Sequence, residues 1–127
     1  MDYYDYRQAA TGSLVEWIIE LRERVALGDE TEHDRDVLRV LDENLAWLGH
    51  ADVDEHYGAF GNITDALLPH YEHSRTMVER LAISSITLHF DMADWDVVRA
   101  KLAEYDQVRA DQDKMDAVEA QIREEGR

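Results

Sequence analysis

The sequence predicts an all-α protein, and three observations carry that prediction. Apolar residues recur at helical spacing through most of the chain, as in Leu14, Trp17, Ile18, Leu21 and Val25. Helix punctuation recurs too: Ser13-Leu-Val-Glu16 has the form of a capping box, Gly28 and Gly49 stand where helices stop, and Asp94 precedes a long periodic stretch. Alternation at the period of a strand occurs once, at Ile86-x-Leu88-x-Phe90. The expected architecture is a compact bundle of about five helices, with one short extended segment near residues 86–90 and a long C-terminal helix. At 127 residues, 45% of them apolar, the chain suits one domain, residues 1–127, with a real core.

In chain order, residues 1–12 form a short helix or arm that ends at Thr11-Gly12. Tyr3, Tyr4 and Tyr6 either cover the core or form an adhesive arm. The helix opened by Ser13 turns its stripe inward as far as Val25. The next begins among Asp29, Glu30, Glu32, Asp34 and Asp36, acids suited to the positive end of a helix dipole, and buries Leu38, Leu41, Leu45 and Leu48. A third follows Asp52 or Asp54 with Tyr57, Phe60, Ile63 and Leu67 inward; Gly58 and Gly61 weaken it. Pro69 breaks the chain, because the residue before a proline leaves the α region while proline itself suits a first helical position. A helix through Met77, Val78 and Leu81 follows. The last helix, capped by Asp94, buries Val98, Leu102, Tyr105 and Val108. Its later apolar positions, Met115, Val118 and Ile122, lie in a stretch too polar to be buried all round, so this half projects or pairs with a partner chain. Trp17, Trp47 and Trp95 fall on or beside apolar stripes and read as core.

Charge is the outlying feature. Twenty-nine acids against 13 Lys and Arg give a net charge of −16. Such a field repels nucleic acid, anionic membrane and phosphate ligands, and attracts basic surfaces. No nucleic-acid or membrane partner is therefore expected. The charge is uneven: residues 29–56 carry 10 acids and 2 bases, residues 91–127 carry 11 and 6, and residues 57–90 only 3 and 2. B-DNA presents a charge about every 3.4 Å along each strand, and a helix rises about 1.5 Å per residue. An exposed acid every two or three residues thus approaches the density of a phosphate backbone. The candidate surface comprises Asp29, Glu30, Glu32, Asp34, Asp36, Asp42, Glu43, Asp52, Asp54 and Glu55, then Asp91, Asp94, Asp96, Glu104, Asp106, Asp111, Asp113, Asp116 and Glu119.

Other chemistries find little support. With no cysteine there is no disulfide framework or thiolate metal site. Glu30-x-x-His33 and His70-x-x-His73, with Asp52-x-x-x-His56 nearby, have ligand-like spacing. A di-metal carboxylate bundle, however, needs two Glu-x-x-His pairs and two further carboxylates, so no metal and no cofactor are expected. No nucleophile elbow, phosphate loop or zinc-protease motif occurs, and no catalytic residue is assigned. The N-terminus lacks the basic and apolar regions of a signal peptide and no apolar run could span a bilayer, so a cytoplasmic location is expected.

The stretch around the proline resembles the Ocr-like family of phage antirestriction proteins, which mimic bent DNA. The shared pattern is an acid-rich helix with Ala59 and Phe60, then Asp65-x-x-x-Pro69-His70-Tyr71, a helix to Ala82, Ile86-x-Leu88-x-Phe90 before Asp91, and Asp96-Val-Val-Arg99. It covers residues 54–100, under half of the chain, and lies in the order of its parts. The resemblance implies a non-catalytic acidic homodimer, paired through Met77 and Leu81, that fills the DNA channel of a Type I restriction-modification enzyme in the host cytoplasm. The basic DNA-binding groove of a CRISPR effector is an equal target. The chain departs from the family in its extra residues at 29–53, its eleven arginines and its ending, Glu-Glu-Gly-Arg. The competing expectation is a salt-adapted helical adaptor or virion-assembly protein whose acids serve solubility, in line with only two lysines.

Overall fold

The computed structural model describes residues 3–45, Leu48 and residues 63–126. It is all-helical, with no strand among the described residues. Five α-helices lie with both ends among the described residues: α1 (Tyr3–Leu27), α2 (Glu32–Asn44), α3 (Met77–Ser84), α4 (Ile86–Met92) and α5 (Trp95–Glu125). Residues 63–67 are also helical and pass into a 3-10 helix, Leu68–His73. The expectations for Trp47, Gly49, Asp52, Asp54, Glu55, His56, Tyr57, Gly58, Phe60 and Gly61 fall outside the described residues.

The core forms where α1 meets α5, α4 and α3. Leu14, Trp17, Ile18 and Leu21 of α1 are at most 1% exposed, against Ile83, Ile86, Phe90, Val98 and Leu102. From α2 come Val37 and Leu41, with Leu48, Ile63 and Leu67 closing the same cluster. Helices α1 and α5 run side by side in the same direction: Thr11 faces Asp94, and Glu23 faces both Tyr105 and Arg109.

Several expectations need correction. The chain does not break at Thr11-Gly12, and Ser13 caps nothing, because α1 is continuous from Tyr3. The buried Thr11 hydroxyl donates to the Arg7 carbonyl at 2.7 Å and accepts the Asp94 backbone N–H at 2.9 Å. That tie stitches the α1 backbone to the start of α5. The tyrosines lie on a helix, with Tyr4 and Tyr6 exposed. Val25 is exposed as well, and the inward position after Leu21 goes to Arg24.

The extended segment expected at 86–90 is also absent, since residues 86–92 are the helix α4. Ile86 and Phe90 are buried, and a spacing of four satisfies one helix face as well as it satisfies alternation. The end of α4 is fixed by Trp95, whose indole N–H donates to the Phe90 carbonyl at 3.0 Å while its ring meets the Phe90 ring edge to face. Asp94 then caps α5, accepting the Val97 N–H, as its position predicts.

Pro69 does not force an extended Leu68. The helix tightens into the 3-10 turn, with the proline at its start where no N–H is needed, and the extended residue comes later, at Ser74. On α3 the inward residues are Ala82 and Ile83, with Val78 half-buried. Met77 and Leu81 are 62% and 57% exposed. Val108, expected inward, is 64% exposed because α1 has ended at Leu27. Beyond Arg109, α5 overhangs the bundle: every residue from Ala110 to Gly126 is exposed, a length of about 24 Å.

Candidate acidic surface and the arginine network beneath it

The acids divide into a structural set and a surface set. Asp34, assigned to the surface from sequence, is 1% exposed and forms no part of it. It occupies the third position of α2 in a reciprocal capping box: its N–H donates to the Thr31 hydroxyl, and its carboxylate accepts the Thr31 N–H at 2.9 Å. The other Asp34 oxygen meets Arg24 Nη1 at 2.9 Å. The same Arg24 nitrogen lies 2.8 Å from Glu79, itself 2% exposed, and Nη2 reaches Glu20 at 3.4 Å. Arg75 adds a second cation, 3.5 Å from Asp34 and 2.7 Å from Asp29. The Thr76 hydroxyl caps α3 by accepting the Glu79 N–H and donates to Glu20 at 3.1 Å. One buried guanidinium thus joins α1 to the first turns of α2 and α3, where carboxylates also suit the helix dipoles.

On the outside, Arg22 performs a weaker version of the same task. It reaches Asp106 of α5 at 2.7 Å and Asp42 of α2 at 3.4 Å, so the acidic helices converge on α1 at this point. Helix α1 ends at Leu27, and α5 runs on to Glu125. Arg99 donates to the carbonyls of Leu45, at 2.9 Å, and Leu48, satisfying groups left open at the C-terminal end of α2.

The remaining assigned acids sit as follows. Asp29, Glu32, Asp42, Glu43, Asp96, Glu104, Asp106, Asp111, Asp113, Asp116 and Glu119 are exposed; Glu30, Asp36 and Asp94 are partly buried. Asp91 lies in α4, and its side chain is outside the described set. Glu104 to Glu119 carry six acids, Arg109 and Lys114 over sixteen residues. That is one net negative charge about every 6 Å of helix, roughly half the linear density of one DNA strand. Tyr105, at the root of the overhang, donates its hydroxyl to Glu23. Burial first, and the Glu23 carboxylate second, push its pKa up to about 12.

The histidine pairs singled out by spacing come together. His33 and His70 approach through their Nδ1 atoms at 3.2 Å, and the His73 ring stacks on His33 with centroids 3.5 Å apart. Yet no group of three or more His, Asp or Glu side chains is arranged to hold a metal ion among the described residues. The cluster instead fastens the 3-10 helix to α2. One Nδ1 must donate and the other accept, which requires a neutral ring. His70 is held below its usual 6.5 by burial first and by the neighbouring His33 second, against the opposing pull of Asp36. A depressed histidine pKa means that the folded chain binds the proton less well than the unfolded chain. Its stabilisation is therefore intact above about pH 6.5 and is lost as pH falls through the lower, folded value. The fall in Tm between about pH 7.5 and about pH 5.5 is expected to be larger in the wild type than in His70→Gln. Equal falls in a thermal melt would show that the His33–His70 contact carries no linkage.

A groove of about 850 Å³ lies between the first halves of α1 and α5, walled by Tyr4, Val15, Ile19 and Val97, with Arg7 and Asp94 at 3.5 Å on its rim. No helix among the described residues is long and apolar enough to cross a membrane. Compared with family models, curated proteins and solved structures, the chain matches none.

Proposed function

We propose that this chain is a non-catalytic acidic helical protein that occupies the DNA-binding groove of a host defence complex, a Type I restriction-modification enzyme or a CRISPR effector. The observation that carries the reading is the overhang of α5. A rigid rod projects from the bundle with acids on its surface and no burial to explain them. The acids that hold the core network together, Asp34 and Glu79, are inside. A ridge of this kind offers a basic groove repeated carboxylates, each weak alone and effective together.

The test is competition. The chain is titrated into a purified Type I enzyme, and separately into CRISPR effectors, each bound to labelled duplex DNA. Displacement of the DNA at low salt, weakening steeply as salt rises, is expected. Undisturbed DNA binding across the set at micromolar protein would overturn the reading. A second reading, an adaptor that docks through apolar contacts, is favoured by Val108, Met115, Val118 and Ile122, all more than half exposed on the same rod. An adaptor would keep its partner as salt rises.

A further inference from the structure

We propose that the overhang of α5 is a self-pairing helix: two copies of the chain associate in parallel and in register through a short coiled-coil seam. This is independent of the choice of target. Val108, Met115 and Ile122 are spaced by seven, and Val118 falls three after Met115 and four before Ile122. These are the a positions, and one d position, of a heptad repeat. All four are exposed, from 55% to 64%, on a helix whose every residue from Ala110 to Gly126 is exposed.

The face is distinct from the one already used. At about 100° per residue, the seam lies roughly 120° around the helix from the mean direction of Val98, Leu102 and Tyr105. A second helix can therefore lie along it without displacing α1, and the two bundles would sit on opposite sides of the paired rods.

The occupant is read from the flanking charges. A chain with net charge −16 is a poor partner for itself unless the contact face is locally neutral. Here it nearly is. The positions flanking the seam are Gln107, Gln112, Lys114, Glu119 and Gln121, while the acids Asp106, Asp113, Asp116 and Glu124 fall elsewhere on the helix. In a parallel, in-register pair the residue before one a position faces the residue five further along the other copy. That rule sets Lys114 against Glu119 twice, and Gln107 against Gln112 twice. Lys114 has no ion pair within its own chain among the described residues, so it is available. The polar interruptions are Asp111 and Glu125 at d positions, and Gln107 and Gln121 of the same chain already donate to them at 3.0 and 3.2 Å.

Sedimentation equilibrium of the whole chain tests this, since every position concerned is exposed and the substitutions leave the bundle intact. The weight-average mass is expected to rise from 14.7 kDa toward twice that value between about 5 and about 500 μM. Met115→Glu should abolish the rise. Lys114→Glu should weaken association at least about tenfold, and Lys114→Glu combined with Glu119→Lys should restore it. Leu81→Glu should leave it unchanged. A monomer at every concentration overturns the proposal. So does a dimer that survives Met115→Glu, or one lost on Leu81→Glu, which would put the interface on α3. Failure of the charge swap to restore pairing overturns the parallel register.

Discussion

Arg24→Met is expected to lower folding stability by about 3–5 kcal/mol, the range found when one partner of a buried ion pair is removed. The cause lies less in the lost attraction than in what remains. Asp34 and Glu79, 1% and 2% exposed, would lose their shared cation, and the Arg75 guanidinium reaches only the first of them. For a domain of this size the corresponding drop in Tm is on the order of 10–20 °C. Arg24→Lys should fall between, since an ammonium keeps the charge but cannot hold Asp34, Glu79 and Glu20 with one fork. Adding Glu79→Gln to Arg24→Met should recover part of the loss by removing one buried charge. Thermal and urea melts at neutral pH measure all three. A loss under about 1 kcal/mol for Arg24→Met, typical of an exposed pair, would mean that the two carboxylates reach water when the arginine is gone.

The second large effect is on binding. Neutralising six exposed acids together, as Glu32→Gln, Glu43→Gln, Glu104→Gln, Asp113→Asn, Asp116→Asn and Glu124→Gln, takes the net charge from −16 to −10 while sparing the buried network. At about 0.5 kcal/mol for each exposed charge, the sum is about 3 kcal/mol, or roughly a hundredfold in affinity for a basic groove. Any one of the six alone should change affinity less than about threefold. The melting temperature should hold or rise slightly as self-repulsion falls. Titration against the same DNA-bound defence enzyme reads the result. A six-fold variant that displaces DNA as well as the wild type would mean that the ridge makes no contact. These substitutions lie off the self-pairing seam, so the same protein should still dimerise, and the two proposals can fail separately.

The helical class, the buried stripe from Leu14 to Leu21, the Asp94 cap and the length of the last helix are all legible in the sequence, because each depends on neighbours within a few residues. What is not legible depends on distant partners. Asp34 reads as one more surface acid until Arg24, ten positions earlier, and Arg75, over forty later, are placed beside it. Ser13-x-x-Glu16 has the form of a helix start, yet a buried contact between Thr11 and Asp94, more than eighty residues apart, carries the helix through it. Ile86-x-Leu88-x-Phe90 is ambiguous by arithmetic, since positions four apart share a face in either geometry closely enough for a five-residue window. The burial of Phe90 against Trp95 resolves it. Of the candidate surface, sequence alone finds the acids of α5 and a later half too polar to be buried all round; the point at which the rod leaves α1 behind follows from where α1 stops.

The parallel course of α1 and α5 has an electrostatic outcome of its own. Helices of 25 and 31 residues laid head to head add their macrodipoles instead of cancelling them, and both negative poles point toward the free tip. The molecule is thus polarised along its length in addition to carrying a net charge. In the field of a cationic surface it would turn before it touches, arriving tip first, so that its orientation at encounter is set during diffusion.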